Sequence, residues 1–223
     1  MRVAALISGG KDSALALNRA LHAGHEAKFL VTMLPKREDS WMFHFPNTHL
    51  TTLFAEAAAI PLITGQTEGV KEKELADLRR ILAPLEVEGI VSGAIASQYQ
   101  KQRIDKICGE LGFASITPLW GDDPLNLLRE LVDQKFRAII TGVYAYGFDD
   151  NWLGRELNVD TINSLLDLHR RHHISIIGEG GEYETLVLDA PFFQKRIELT
   201  ETEKTWKDQS GNLRVKRAHL TGK

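Results

Sequence analysis

The chain has 223 residues, of which 43% are hydrophobic and 26% charged, with a formal net charge of -3. That length and balance suit a globular protein of one large or two small domains, and so mild a charge excludes a global field drawing it to nucleic acid. A single cysteine, Cys108, excludes an internal disulfide framework and a zinc site built on several thiolates. No run of about 18 apolar residues is present to span a bilayer, and Lys11 and Asp12 fall inside what would be the apolar core of an export signal. The expected setting is therefore cytoplasmic, with no membrane and no direct nucleic-acid partner.

In chain order, the apolar run from Val3 to Ile7 predicts a strand, and Ser8-Gly9-Gly10-Lys11-Asp12-Ser13 a two-glycine turn. The pattern Ala14-Leu15-Ala16-Leu17, continued by Ala20 and Leu21, predicts a helix after it. Strands are expected at Lys28 to Met33, Pro61 to Thr64, Gly89 to Ser92 and Ala114 to Thr117. Between them fall helices around Leu50 to Ala59, through Leu75, Leu78, Leu82 and Leu85 at helical spacing, and over Ser97 to Leu111. Such alternation implies a parallel sheet covered by helices, whose ligands sit beyond the carboxyl ends of the strands. Ser8 to Ser13 and Ser92-Gly93-Ala94 would both lie there.

Pro118 to Pro124, with two prolines, a glycine and two acids, reads as the seam between a domain at 1–118 and a second at 119–223. Beyond it the pattern predicts a helix over Leu125 to Gln134, a strand over Ala138 to Gly142 and an aromatic loop from Tyr144 to Trp152. A helix over Thr161 to Arg171 and a strand over Ile174 to Ile177 follow. The tail from Arg196 to Leu220 reads as a hairpin turning at Asp208 to Asn212. The fold class expected is α/β: an N-terminal Rossmann-like domain with a parallel sheet, then a smaller α/β domain.

Strand, glycine turn and helix N-terminus together form a phosphate cradle, because backbone N–H groups and the positive end of the helix dipole converge on one point. The spacing is not that of a Walker A loop. The segment Ser8-Gly9-Gly10-Lys11-Asp12-Ser13 resembles the PP-loop, Ser-Gly-Gly-x-Asp-Ser, of the ATP pyrophosphatases. That resemblance implies an adenine nucleotide alpha-hydrolase-like fold and cleavage of ATP between its α and β phosphates. Three further stretches carry a second resemblance: Gly178-Glu179-Gly180-Gly181-Glu182-Tyr183-Glu184-Thr185, Gly93 to Gln100, and Trp152-Leu153-Gly154-Arg155. With the loop, they resemble the diphthine–ammonia ligase family over essentially the whole chain, closest to its short archaeal members. What the resemblance implies is ATP-dependent amidation of diphthine, a modified histidine of translation elongation factor 2, through an acyl-adenylate. ATP and Mg2+ would be the cofactors, and ammonium and the diphthine-bearing factor the partners. Whether the chain forms a homo-oligomer is left open.

Within that chemistry, the backbone N–H groups of Gly9, Gly10 and Lys11 suit the β and γ phosphates, and the Lys11 ammonium the charge growing on pyrophosphate. The Ser8 and Ser13 hydroxyls can donate to phosphate oxygens. Asp12 is read as a Mg2+ ligand, with a plain helix-start residue as the alternative. Ser92 and Gly93 are small, as a loop beneath a nucleotide requires, and Gln98, Lys101 and Arg103 open the next helix near the same edge. A solvated helix face is the competing reading for Lys101 and Arg103.

Glu179, Glu182 and Glu184, set among Gly178, Gly180, Gly181 and Tyr183, place three carboxylates in six residues, an arrangement that calls for a cation. Glu182 is expected as the base or anchor for ammonium, with Glu179 and Glu184 shaping the acceptor pocket; backbone capping within a tight loop is the alternative for each. Aromatic faces bind quaternary ammonium groups, so two or three of Trp120, Tyr144, Tyr146 and Trp152 are candidates for the trimethylammonium of diphthine. His44 and Asn47, in the irregular segment after the second strand, match the family pattern and are candidates for nucleotide or acceptor contact. His169 and His173 lack the glutamate of a His-Glu-x-x-His motif and are not read as metal ligands, and Cys108 is read as a buried core residue. The rival readings are a PP-loop enzyme adenylating another carboxylate or tRNA, and a nucleotide-binding regulator without turnover. Sulfur transfer to tRNA usually relays through two cysteines, and a regulator leaves the glutamate-rich loop unexplained.

Overall fold

A computed structural model of the chain describes residues 1–35, 47–68 and 71–223, apart from the side chains of 35, 48 and 71–73. The chain divides into two compact units, Met1–Trp120 and Gly121–Lys223.

In the first unit the strands β1 (Arg2–Leu6), β2 (Glu26–Pro35), β3 (Leu62–Thr67), β4 (Gly89–Val91) and β5 (Ala114–Ile116) form one sheet in the order β3-β2-β1-β4-β5. Every pairing in it is parallel. The helices α1 (Lys11–His22), α2 (Thr51–Ala58), α3 (Lys71–Leu82) and α4 (Gln98–Leu111) supply the crossovers. A parallel sheet is covered on its faces and its strands read as apolar runs, which is why Val3, Ala4, Ala5, Leu30, Val31, Ile90 and Val91 are all buried. One core cluster packs Ala4, Val31 and Ile90 against Leu78 and Leu82 of α3 and Ile104, Ile107 and Cys108 of α4. Burial pushes the Cys108 thiol up to about 11, so it stays protonated and packs as a small apolar group.

Helix limits follow local chemistry. The Ser97 hydroxyl accepts the Gln100 N–H at 3.3 Å to start α4, and Gly112 at φ 74 ends it. Helix α1 starts differently: Gly10 is its N-cap, and a glycine offers no side chain to close the first turn. The chain leaves β1 for β2 on one side, then passes through β3 and α3 to β4 on the other. The order therefore reverses between β1 and β4, the switch point where open parallel sheets bind ligands.

In the second unit, β6 (Arg137–Val143), β7 (Tyr183–Asp189), β8 (Lys195–Lys207) and β9 (Ser210–Gly222) form an antiparallel sheet in the order β7-β6-β9-β8. Helices α5 (Pro124–Asp133) and α6 (Val159–His172) are capped by the Asp123 and Asn158 side chains. Antiparallel pairing is not disclosed by the helix and strand periodicities of this half. The strand expected over Ile174 to Ile177 is a loop and turn; Ile174 and Ile177 are buried there without pairing. The strand of this region is β7, which begins inside the glutamate-rich stretch. No helix among the described residues is long and apolar enough to cross a membrane.

The tail forms the expected hairpin. Its two-residue loop, Asp208 and Gln209, has φ 50 and φ 63, the left-handed pair that a type I′ turn demands. Asparagine followed by glycine is the favoured sequence there. Gln209→Gly should therefore stabilise the second unit by about 0.5 kcal/mol, the relief of left-handed strain less the entropy of glycine. Chemical denaturation reads this, and an unchanged or lowered midpoint would contradict the turn assignment.

Candidate functional site

The turn after β1 is built from its own serines. Gly9 adopts φ 87, a conformation that glycine enters without a Cβ clash. The Ser13 hydroxyl donates to the Gly10 carbonyl at 3.1 Å and lies 3.3 Å from both the Ser8 hydroxyl and the Ser8 N–H, which donates to it. The Gly10 N–H donates to the Ser8 hydroxyl at 3.3 Å. These contacts hold the loop at the uncapped start of α1, where the positive end of the helix dipole favours an anion. Lys11 is only 2% exposed, and its ammonium meets an Asp12 carboxylate oxygen at 2.9 Å.

Beside this turn runs the loop after β4. A Cβ on Gly93 would stand 2.8 Å from both the Asp12 carbonyl carbon and the Ser13 nitrogen, so the two backbones touch and only glycine fits. Ser92 next to it is 6% exposed, and its hydroxyl has no hydrogen-bond partner among the described residues. A buried hydroxyl without a partner costs stability, and this one lies at the switch point, where a ligand oxygen would satisfy it. Ser8 to Ser13, Ser92 and Gly93 are thus brought together by the β1–β4 neighbour relation.

The residues opening α4 are less uniform. Gln98 is exposed. The Arg103 guanidinium lies 3.4 Å from the centre of the Tyr99 ring, and its buried Nε has no hydrogen-bond partner among the described residues. Lys101 is engaged: its ammonium bonds Asp105 at 2.5 Å and lies 5.5 Å from the Trp120 ring centre. The Lys101 bond, with the Ser115 hydroxyl, holds the Asp105 carboxyl below its ordinary range. His44 lies outside the described residues. Asn47 is half-buried, and its carbonyl accepts the Leu50 N–H at 3.0 Å, so its backbone starts the short 3-10 turn Thr48–Leu50. Among the described residues no group of three or more potential metal ligands gathers, and Asp12 is the carboxylate within this turn.

In the second unit the glutamate-rich stretch is a loop closed by one of its own carboxylates. Glu182 accepts the Ser175 N–H at 2.8 Å on one oxygen and the Gly180 N–H at 2.9 Å on the other. Each oxygen thus serves a backbone amide, which makes Glu182 the clasp of the loop. Tyr183 is the anchor: it is 3% exposed, donates from its hydroxyl to the Ile176 carbonyl at 2.8 Å and packs against Gly178. Gly178 and Gly181 take φ 78 and φ 80. Glu179, half-buried, donates its backbone N–H to the Ser175 hydroxyl at 3.4 Å.

The aromatic candidates separate. Trp152 is 7% exposed, with Phe148 edge-on at 4.9 Å and the Arg155 guanidinium 4.7 Å from its ring centre. Arg155 is in turn fixed to the Ser164 hydroxyl at 2.8 Å. A cation therefore already covers a face of Trp152, which belongs to the core and does not offer that face to a trimethylammonium. Tyr146 is 68% exposed and stands edge-on to His172.

Tyr144 reaches elsewhere. Its hydroxyl donates to the Asn212 side-chain oxygen at 2.5 Å and lies 3.4 Å from the Glu184 carboxylate. Burial pushes this phenol well above its ordinary range, and the Glu184 charge adds to the shift. Asn212 carried no signal in the sequence, where it reads as part of a hairpin turn; only cross-strand pairing puts it beside Gly142 and Glu184.

The clasp gives a direct expectation. Glu182→Gln turns an N–H2 toward a backbone N–H and leaves one of the two amides without an acceptor. It should lower stability by about 1–2 kcal/mol, and a denaturation midpoint equal to that of the parent chain would refute the clasp.

Comparison with known proteins gives these geometries a context. Residues 1–115 match the family model described as the diphthamide synthase N-terminal domain, and residues 123–221 the model of its C-terminal domain. The chain is 36% identical over 251 residues to the diphthine–ammonia ligase of Mus musculus, covering 100% of this chain and 94% of that protein. It is 36% identical over 226 residues to that of Homo sapiens, covering 91% and 84%. A solved structure titled as a predicted subunit of tRNA methyltransferase from Methanocaldococcus jannaschii is 17% identical, covers 85% of this chain and 97% of its own, and has a TM-score of 0.46. Matched by both family models along nearly its full length, the chain belongs to the diphthamide synthase family.

Proposed function

We propose that the chain is a diphthine–ammonia ligase that uses ATP to convert the diphthine carboxylate of elongation factor 2 into the diphthamide amide. The observation that carries the substrate is the near-full-length match to relatives of that name. The nucleotide chemistry is supported by the glycine turn at the switch point, with the buried Ser92 hydroxyl, unpartnered among the described residues, beside it.

A carboxylate does not condense with ammonia, because its oxygen is a poor leaving group. In the first step a carboxylate oxygen attacks the α-phosphorus of ATP; the bond to the bridging oxygen breaks and pyrophosphate departs. In the second, the ammonia lone pair attacks the acyl carbon, AMP leaves with the electron pair of the carbon–oxygen bond, and the new nitrogen loses a proton. The protein's part in the first step is positioning and charge. The amides of Gly9, Gly10 and Lys11, with the Ser8 and Ser13 hydroxyls, cradle the departing phosphates, and the Lys11 ammonium meets their growing charge. Asp12 would hold Mg2+, which would neutralise phosphate charge. Ser92, Gly93, Gln98 and Arg103 line the nucleotide side. Glu179, Gly180, Gly181, Tyr183 and Glu184 form the acceptor loop that Glu182 clasps, and exposed Tyr146 offers its ring to the trimethylammonium. Asn47 and His44 remain candidates for contact with either substrate.

The purified chain, given ATP, Mg2+ and ammonium, should release AMP and pyrophosphate only when diphthine-bearing elongation factor 2 is added. ADP as product, or no turnover with that factor, would refute the reading. Lys11→Ala should slow pyrophosphate release by about 100-fold or more, the scale of losing one well-placed electrostatic group. A rate near that of the parent chain would remove Lys11 from the mechanism.

A further inference from the structure

The Trp152-Leu153-Gly154-Arg155 stretch takes no part in the proposed chemistry, although it helps to carry the family resemblance. Its backbone is laid along β6. The Gly154 N–H donates to the Ile140 carbonyl at 2.8 Å, and the Ile140 N–H to the Arg155 carbonyl at 2.9 Å. Its side chains begin a file of packed groups. The Arg155 guanidinium is held on α6 by the Ser164 hydroxyl at 2.8 Å and lies 4.7 Å from the Trp152 ring centre. The Phe148 ring stands edge-on to Trp152 with centres 4.9 Å apart, and its centre lies 6.1 Å from that of Tyr183.

The file ends at the glutamate-rich loop. Tyr183 donates its hydroxyl to the Ile176 carbonyl at 2.8 Å, and a Cβ on Gly178 would lie 3.1 Å from its ring. Glu182, its neighbour in the chain, accepts the Ser175 and Gly180 N–H groups. A shift of the Tyr183 ring would therefore disturb the loop at Ile176 and Gly178 directly, and at Ser175 and Gly180 through Glu182. Trp152, Phe148 and Tyr183 are all buried, and in a close-packed interior one ring does not move without displacing the next. An edge-on ring pair and a guanidinium over an indole each favour one orientation beyond what burial alone supplies.

We propose that Phe148, Trp152 and Arg155 are positioning residues for the acceptor loop: the file fixes the Tyr183 ring, and the ring fixes where Glu179 to Glu182 stand. The inference deepens the ligase reading and rests on it for what the loop binds. Arg155 locks the far end of the file, remote from the substrate. Lysine there would keep the charge but lose the planar group that lies over the indole and the fork that reaches Ser164.

Amide hydrogen exchange separates positioning from plain core support. A contact that only supports the core slows exchange through global unfolding, whereas one broken when the loop opens also slows exchange in the loop. Arg155→Lys and Trp152→Leu should each speed exchange of the Ser175 and Gly180 amides about fivefold, the scale of one aromatic or cation–π contact. Leu128→Ala, which empties a buried site in α5, should speed the β6–β7 ladder amides and leave those two unchanged. In the coupled reaction, Arg155→Lys and Trp152→Leu should raise the KM for the diphthine-bearing factor about fivefold, on the same scale, while the KM for ATP stays. Trp152→Phe, which keeps an aromatic face beneath Arg155, should recover most of both effects. Loop amides that ignore the two variants, or respond equally to Leu128→Ala, would overturn the positioning role. So would an unchanged KM for the factor, or a KM for ATP that rises with it. No turnover by the parent chain, with the loop amides responding as expected, would overturn the ligase reading and leave the positioning file standing.

Discussion

The close approach of Gly93 to the first turn of α1 is the constraint on which the first unit's site depends. Strand order reverses between β1 and β4, so the loops that leave these two strands meet at one edge. They meet backbone to backbone, with no room for a Cβ between Gly93 and the Asp12–Ser13 peptide. The consequence is an edge where backbone amides and the small hydroxyls of Ser8, Ser13 and Ser92 lie together. Such a spot has little side-chain entropy to lose on binding a phosphate and presents donors already fixed in direction. The uncapped start of α1 and the Ser92 hydroxyl, without a partner among the described residues, both lie at this edge of the sheet.

The second unit solves a different problem, fixing a glycine-rich loop that carries three carboxylates. Its loop uses one carboxylate structurally. Glu182 takes two backbone amides that a tight, glycine-rich turn would otherwise leave without acceptors, and Tyr183 pins the other end of the turn into the core. Held in this way, the loop delivers Glu184 onto β7 in register with Gly142. The register matters because neighbouring strands present paired residues on one face. A slip of one residue would turn Glu184 to the opposite face and away from the Tyr144 hydroxyl.

Much of this was legible in the sequence, and the failures have physical causes. The strands of the first unit announce themselves as apolar runs because a parallel sheet is buried on both faces, and the hairpin tail is marked by its turn residues. The Ile174 to Ile177 run misleads because a short apolar segment has no usable period; two of its isoleucines are buried by a turn instead of a ladder. Strand β7 is obscured because the glutamates and glycines ahead of it read as loop. At the site, Ser8 to Ser13 are contiguous and carry their geometry in their spacing. Glu182 as a clasp and Arg155 over Trp152 are local contacts set by irregular backbone, and Asn212 beside Tyr144 is a contact between distant strands. Spacing along the chain does not encode them.

The proposed acyl-adenylate would connect a phosphate cradle to an amide product, and oxygen atoms would record it. With the diphthine carboxylate labelled with oxygen-18, attack on the α-phosphorus leaves one labelled oxygen in AMP after ammonia displaces it. Mass spectrometry of the released nucleotide should therefore find one oxygen-18 per AMP formed, with none in the inorganic products. Label in inorganic phosphate, with ADP as the nucleotide product, would mean activation at the γ-phosphate and would contradict the account.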